Sequence, residues 1–122
     1  TTVHGVDKAI KGGFSPEQID LGLPFYSRPT NSHRYWGDYN LFANKIDKYT
    51  NLIYFNDFDH EGNPMTAPQY INSVQMIADK TAFAIDAGLG GVMILHYCYD
   101  LPYDNELSLC KAITDTKTAK QK

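Results

Sequence analysis

Residues 19–28 read IDLGLPFYSR, and the alternation of their side chains indicates a β-strand over 19–27. One face of this strand carries three large apolar side chains, those of Leu21, Leu23 and Phe25. The other face ends in a phenol and a guanidinium, in the order Gly22, Pro24, Tyr26 and Arg28. We therefore expect one face to be buried in a core and Tyr26 and Arg28 to lie at the end of the other.

A second strand is predicted over 91–97, which read GVMILHY. Its nearly continuous apolar character is typical of a strand in a sheet that is covered on both faces. Residues 28–90 separate the two strands and contain helical patterns, which favours a parallel pairing within an α/β fold. Two parallel strands do not make a stable sheet by themselves. We therefore expect that part of the sheet is missing from this sequence.

Helices are predicted wherever apolar residues recur at helical spacing. Residues 1–5 show no such pattern, and a first helix, ended by Gly12 and Gly13, contains Val6, Ala9 and Ile10. A second helix is predicted from an Asp38 cap to about residue 49, with a stripe made of Tyr39, Phe42, Ile46 and Tyr49. A third, capped by Thr66 with Pro68 in its first turn and ended by Gly88, has an apolar face made of Ile71, Val74, Ala78, Ala82 and Ile85.

The remaining segments are shorter. Residues 52–55 are predicted as a strand and 56–64 as a polar loop that contains the breaker Gly62-Asn63-Pro64. A last helix is predicted to begin near Asp104, with an inward face made of Leu107, Cys110 and Ile113. Residues 116–122 (TKTAKQK) are interpreted as a solvated tail, which makes 1–115 the folded segment.

Composition excludes several classes of protein. The chain has 122 residues, 43% of them hydrophobic and 13% aromatic, which fits one folded domain and not a disordered tail. Its net charge of −3 argues against a nucleic-acid surface, and no apolar run approaches the roughly 18 residues of a membrane span. We see no signal-peptide pattern at the N-terminus. Cys98 and Cys110 allow a disulfide or free thiols, and their apolar surroundings favour buried free thiols.

Three blocks in the right order resemble family 18 glycoside hydrolases, the chitinase-like (β/α)8 barrels. Residues 19–28 are similar to the strand-seven pattern LGxPxYGR of that family. Lys80 and Thr81 followed by 88–94 (GLGGVMI) are similar to its helix and strand-eight pattern, and Asp100 followed by 107–113 is similar to its closing segment. The resemblance implies that this α/β chain is the C-terminal part of a TIM barrel, strands seven and eight with their flanking helices.

The resemblance also implies what this chain lacks. The family's catalytic signature DxxDxDxE lies on strand four, and its final Glu is the general acid, while the N-acetyl oxygen of the substrate is the nucleophile. A barrel of this type needs roughly 250 residues, so we expect no catalytic residue here and no activity of the chain alone. No cofactor is implied.

Residues 57–61 (DFDHE) match the end of that signature and also the start of a calcium loop. We interpret both matches as coincidental. Tyr54 stands where the signature has its first Asp, and Pro68 stands where a calcium loop has its bidentate Glu. No metal site is therefore expected, and the stretch is interpreted as a solvated acidic loop.

The resemblance assigns sugar-binding roles to residues at the carboxyl ends of the two strands. Tyr26 and Arg28 would line the cleft, the phenol bonding the N-acetyl group and the guanidinium bonding hydroxyls or a carboxylate. The alternatives are a structural tyrosine and a surface arginine. Ser27 replaces the family's usual Gly.

Leu95 replaces the tryptophan that forms the floor of the family's cleavage subsite, which weakens stacking on the sugar. Tyr97 could partly replace that ring, and Met93 is either core packing or subsite wall. His96 has the opposite parity and is expected as a core histidine. The aromatic residues Tyr35, Trp36 and Tyr39 either form outer sugar subsites or cap the core.

We therefore expect the C-terminal portion of a chitinase-like hydrolase that cleaves β-1,4-linked N-acetylglucosamine glycans with retention. The alternatives are a degenerate barrel that only binds chitin- or peptidoglycan-type sugars, and a small α/β module that packs as an oligomer. The expected partners are an N-acetylglucosamine-containing oligosaccharide and the missing N-terminal part of the barrel or a second copy, with no nucleic acid. The family's usual substrates imply an extracellular or cell-envelope location.

Overall fold

A computed structural model describes residues 2–29, 39–42, 46–58 and 64–121, with backbone only at 29, 41, 42, 53–58, 64–69 and 97. The helices are α1 (Thr2–Lys11), α2 (Val74–Asp86) and α3 (Leu109–Lys120), and short 3-10 turns lie at Pro16–Gln18, Tyr39–Phe42 and Tyr97–Tyr99. The strands are β1 (Asp20–Pro24), β2 (Arg28–Pro29), β3 (Leu52–Phe58), β4 (Pro64–Tyr70) and β5 (Gly91–Leu95).

The two predicted principal strands form a parallel pair. β1 lies beside β5 with Leu21 opposite Val92 and Leu23 opposite Ile94. The predicted alternation along β1 is confirmed, since Leu21, Leu23 and Phe25 are 8%, 0% and 1% exposed. Their face packs on α2 and α3, whose core side chains are Ile77, Ala84, Leu109, Ala112 and Ile113.

The opposite face of this pair, here called the open face, carries the exposed Met93 side chain. Gly22 lies opposite Met93 in the register, and the Met93 side chain is 50% exposed. The strand predicted over 91–97 is two residues too long, because β5 ends at Leu95. The peptide bond between Leu95 and His96 is cis.

A second, antiparallel sheet lies between β1 and α2 in the chain, in the order β2-β4-β3. The predicted loop over 56–64 and the predicted helix start at Thr66 are wrong, because β3 extends to Phe58 and β4 occupies Pro64–Tyr70. Pro64 and Pro68 are compatible with β4 because the two-residue strand β2 pairs only with Gln69 and Tyr70. Over 64–68 one edge of β4 has no strand beside it in the described sheet, and proline is tolerated at such an edge.

Helix α2 begins eight residues after its predicted cap, Thr66. Ser73 is the N-cap, and its Oγ accepts a hydrogen bond from the Met76 amide at 3.0 Å. The buried residues of α2 are Ile77, Thr81 and Ala84, whereas Ile85 of the predicted face is 40% exposed. The predicted end is confirmed, since Gly88 has a φ of +71°.

The helix predicted over 38–49 is also wrong. Tyr39–Phe42 form a 3-10 turn, Asp38 lies outside the described residues, and 46–50 are not helical. The Asp47 carboxylate accepts hydrogen bonds from the Tyr49 amide and the Thr50 hydroxyl, both at 2.8 Å. This local bonding gives the backbone an alternative to a helix.

Both terminal helices differ from their predicted bounds, and the last one begins at Leu109 and not near Asp104. α1 already begins at Thr2, and Val6 is its buried residue, while Ile10 is 39% exposed. α3 begins at Leu109 and continues to Lys120, so residues 116–120 are helical, although the side chains over 117–120 are exposed as expected for a tail.

Candidate functional site

The candidate site lies where β1 and β5 end. The Phe25 amide still donates to the Leu95 carbonyl at 2.7 Å, so the two strands stay paired to this point. Beyond it the chain after β1 enters the antiparallel sheet through β2, and the chain after β5 turns at Tyr97–Tyr99. The carboxyl ends of parallel strands are where barrel enzymes build their sites.

A cavity of about 180 Å³ opens beside the end of β1. It is lined by Pro24, Tyr26, Arg28, Tyr70, Ile71, Asn72 and Lys80. The structure thus brings Tyr26 and Arg28 into one cavity, with Tyr26 half-buried and Arg28 exposed. Arg28 lies in β2, opposite Tyr70 of β4, so the antiparallel sheet forms one wall.

A short chain of hydrogen bonds links this cavity to α2. The Lys80 ammonium donates to the Asn72 Oδ1 at 2.7 Å, and the Asn72 Nδ2 donates to the Pro24 carbonyl at 3.0 Å. Burial lowers the pKa of Lys80. The arrangement holds the last residue of β1 against α2 and places a cation at the cavity wall.

Sequence reasoning missed Tyr70, Asn72 and Lys80 as lining residues. Lys80 was used only as part of a family pattern, and the helix predicted from Thr66 placed residues 70 and 72 inside a helix. The available signal was Asn72-Ser73, since a polar pair of this kind typically precedes a helix and would have moved the helix start to Val74.

Met93 and Leu95 lie on the open face of the strand pair. The register places them opposite Gly22 and Pro24, and the Met93 Cε lies 3.8 Å from the position a Cβ would take on Gly22. Neither residue lines the cavity. The structure therefore places two of the predicted sugar-binding residues on the sheet face beside the cavity, and the Tyr97 side chain lies outside the described residues.

His96 and Cys98 differ from expectation. His96 is exposed, and its ring lies 5.1 Å from the ring of Tyr99 in an edge-on arrangement, so it is not a core histidine. Cys98 is an exposed free thiol and Cys110 a half-buried one. The reason is that the chain leaves β5 after Leu95, so the following residues do not continue the alternation of the strand.

Asp100 anchors the start of α3. Its carboxylate accepts hydrogen bonds from the Leu109 amide at 2.7 Å, the Cys110 amide at 2.8 Å and the Ser108 hydroxyl at 2.8 Å. Burial, together with the hydrogen bond and charge of Asp100, raises the pKa of the Cys110 thiol to about 12. Asp100 therefore has a structural role.

Tyr39 caps the core. It is 1% exposed, its hydroxyl donates to the Leu107 carbonyl at 2.7 Å, and burial followed by the charge of Asp100 raises its pKa. Of the two interpretations for the aromatic cluster, core capping holds for Tyr39. Tyr35 and Trp36 lie outside the described residues, as do 59–61 and the side chains of 57 and 58.

A larger cavity of about 480 Å³ lies at the opposite end of the strands, between the start of β5 and the last turns of α2 and α3. Its walls include Leu89, Val92 and Ile113, and Lys120 at its rim is paired with Asp86 at 2.7 Å. It is thus remote from Tyr26 and Arg28.

Within the described ranges, no three His, Cys, Asp or Glu side chains are grouped to hold a metal, and no helix is long and apolar enough to cross a membrane.

Comparison with solved structures identifies the fold. A chitinase from Rhizomucor miehei matches with a TM-score of 0.65 and 19% identity over 96% of this chain and 43% of the chitinase. Human YKL-39, a pseudo-chitinase with retained chitooligosaccharide binding properties, matches with a TM-score of 0.68 and 13% identity over 97% of this chain and 40% of that protein. A family 18 N-acetylglucosaminidase from Paenibacillus barengoltzii matches with a TM-score of 0.63 and 19% identity over 93% of this chain and 38% of the enzyme.

No protein-family profile and no curated protein matches this chain. Its structural neighbours are chitinases and chitinase-like proteins, and the chain spans less than half the length of the three described above. The chain therefore has a chitinase-like α/β fold whose parallel strands and helices are consistent with part of a barrel.

Proposed function

We propose that this chain is the C-terminal portion of a chitinase-like barrel that acts on β-1,4-linked N-acetylglucosamine glycans. The observation that carries the proposal is the cavity at the carboxyl end of β1, which brings Tyr26 and Arg28 together within a chitinase-like fold. In this role the Tyr26 hydroxyl bonds the N-acetyl group and the Arg28 guanidinium donates to sugar hydroxyls.

The open face of the strand pair receives the rest of the barrel. Met93, on this face, is 50% exposed. Burying such a side chain is favourable, by about 25 cal/mol per Å². The partner of this face is the N-terminal part of the barrel, and the catalytic acid lies in that part, so the chain alone does not hydrolyse glycans.

The coding region upstream of Thr1 tests this proposal directly. An intact DxxDxDxE within an upstream barrel segment is expected, together with hydrolysis of a chromogenic N-acetylglucosamine oligomer by the complete product. Replacing the final Glu of that signature by Gln is the control, and it should abolish hydrolysis while leaving oligomer binding. A stable, monomeric product of residues 1–122 alone would contradict the need for a partner.

A second candidate function is sugar binding without hydrolysis. Leu95 favours it, because an aliphatic side chain at the end of β5 offers burial but no aromatic face for a sugar ring. Binding of the oligomer with a broken signature and no hydrolysis would select this candidate. For both candidate functions we propose the same location, extracellular or in the cell envelope.

A further inference from the structure

The antiparallel sheet presents a row of exposed side chains that starts at the cavity beside β1. In the register, Tyr70 of β4 lies opposite Arg28 of β2 on one side and opposite Leu52 of β3 on the other. Residues directly opposite each other on neighbouring strands share one face of the sheet. Arg28 is exposed, and the exposed fractions of Tyr70 and Leu52 are 58% and 40%. These three residues, here called the exposed row, therefore cross three strands, over roughly 10 Å at two strand spacings.

Tyr70 joins the exposed row to the cavity. Tyr70 and Arg28 both line the cavity, and Leu52 lies one strand farther out. A tyrosine side chain combines an apolar ring with a polar tip. Among the described residues, none forms a hydrogen bond with the Tyr70 hydroxyl or stacks on its ring. The exposed ring therefore has no structural partner in this part of the chain.

The composition of the exposed row suits a sugar chain. Adjacent exposed apolar side chains indicate a binding surface, whereas isolated ones are normal on a protein. Tyr70 and Leu52 are adjacent in this sense, and Tyr49, three residues before Leu52 in the chain, is 68% exposed. A neutral sugar ring has apolar C–H faces, which pack on a phenol ring or an aliphatic side chain, and hydroxyl edges, which accept from a guanidinium.

The cavity is too small for more than one unit of an oligomer. Liquid water occupies about 30 Å³ per molecule, so the cavity of about 180 Å³ equals the volume of about six waters. Further units must lie on a surface that continues the cavity. In the proposed function the open face of the strand pair receives the rest of the barrel, which leaves the exposed row for these units.

We propose that the exposed row is an outer subsite, at which Tyr70 stacks on a further unit of a neutral N-acetylglucosamine oligomer bound in the cavity. The inference rests on the proposed function, because it assumes that the cavity holds the unit whose N-acetyl group bonds Tyr26. It adds Tyr70 as a binding residue that determines specificity for oligomer length, with Leu52 at the outer end of the subsite.

Affinity as a function of oligomer length tests the inference with the product of the complete coding region. The probes are the di-, tetra- and hexasaccharide of β-1,4-linked N-acetylglucosamine. Where the signature is intact, the form with its final Glu replaced by Gln keeps them from being hydrolysed. Calorimetry should show an affinity that rises from the disaccharide to the hexasaccharide. Tyr70→Ala should lower the hexasaccharide affinity about tenfold, as for the loss of one stacked ring, and change the disaccharide affinity by less than about twofold.

Three further variants assign the effect to the exposed row. Tyr70→Phe keeps the ring and should keep the hexasaccharide affinity within about threefold. Leu52→Tyr adds a ring at the outer end and should raise the hexasaccharide affinity about threefold, with the disaccharide affinity unchanged. Tyr103→Ala is the matched control, because Tyr103 is 55% exposed but lines a different cavity, together with Cys98 and Cys110. It should change none of the affinities.

The outcomes separate the two proposals. An affinity of the unmodified protein that does not rise with oligomer length overturns the outer subsite and leaves the proposed function intact. Binding of none of the oligomers overturns the proposed function. If Tyr70→Ala weakens all three oligomers equally, Tyr70 acts inside the cavity and the outer subsite is overturned.

The rest of the barrel is the other possible occupant of the exposed row. In that case Tyr70→Ala should lower the stability of the complete product and leave every affinity unchanged, which also overturns the outer subsite. Should Tyr70→Ala fail to fold, Leu52→Tyr decides, since an unchanged hexasaccharide affinity in that variant contradicts the proposal.

Discussion

The carboxylate of Asp100 accepts a hydrogen bond from the amide of Leu109, the first residue of α3, at 2.7 Å. A carboxylate at this position satisfies amides that the helix itself leaves unbonded and interacts favourably with the helix dipole. Because Leu109 is fully buried, the same contact fixes where α3 enters the core. Asp100 thereby links the loop after β5 to the packing of the last helix.

Replacing Asp100 should destabilise the chain. Asp100→Ala removes the acceptor for three amides, those of Leu101, Leu109 and Cys110, and for the Ser108 hydroxyl, and we expect a loss of about 2 kcal/mol in the free energy of unfolding. Urea denaturation of the product of the complete coding region, followed by circular dichroism, measures this loss. Asp104→Ala is the matched control, because Asp104 is exposed in the same loop and should change stability by less than about 0.5 kcal/mol. Equal effects of the two substitutions would contradict the anchoring role of Asp100.

Gly90 should be intolerant of any side chain. A Cβ at this position would lie 2.5 Å from the Glu17 carbonyl oxygen, and the Gly90 amide donates to Ile19 at the start of β1. Gly90→Ala must therefore move the backbone before β1, and we expect a loss of about 2 kcal/mol or more. Gly5→Ala is the control, since nothing lies within 4 Å of its Cβ position and α1 should gain about 0.5–1 kcal/mol. Thermal denaturation of both variants checks this, and a neutral Gly90→Ala would show that the approach is not close.

The parallel pair was predictable because each of its strands carries its own signal. The alternation of Leu21, Leu23 and Phe25 is local, and it matches the burial of these side chains. Gly88 likewise marks the end of α2 through a backbone angle that favours glycine. The predicted proximity of Tyr26 and Arg28 also followed from their spacing in one extended segment.

The antiparallel sheet was not predictable from the same reasoning. Residues 64–70 contain Pro64 and Pro68, which locally argue against a strand and are tolerated only because β2 is short. Lys80 lines the cavity and donates a hydrogen bond to Asn72. That contact depends on where α2 begins, because Asn72 lies just before the helix. The charge of the cavity is therefore a tertiary property, since Arg28 and Lys80 lie far apart in the chain.

The titration of Lys80 should appear in the pH dependence of stability. Burial lowers its pKa in the folded state, so the folded protein releases this proton at lower pH than the unfolded chain, whose lysines titrate near about 10.4. Between these two pKa values the unfolded state binds more protons, and stability rises with pH. Below both pKa values Lys80 is charged in both states, and the unfavourable free energy of burying its charge lowers stability in full. We therefore expect the unmodified protein to gain stability relative to Lys80→Met as the pH rises toward the unfolded-state pKa of about 10.4.

Urea denaturation of both proteins across this range measures the difference. Lys117→Met, which replaces an exposed lysine of α3, is measured in parallel as the control. If the unmodified protein instead lost stability relative to Lys80→Met as the pH rose, the direction of the pKa shift would be contradicted.

The two thiols should react at different rates. Cys98 is exposed, whereas Cys110 is half-buried and its pKa is raised to about 12 by burial and by Asp100. Because the thiolate is the nucleophile, iodoacetamide at pH 8 should modify Cys98 first and leave Cys110 largely unmodified in the folded protein. Mass spectrometry should therefore show one added group in the native state and two in urea. Cys98→Ser should remove the fast modification, Cys110→Ser should retain it, and equal rates at both sites would contradict the protection of Cys110.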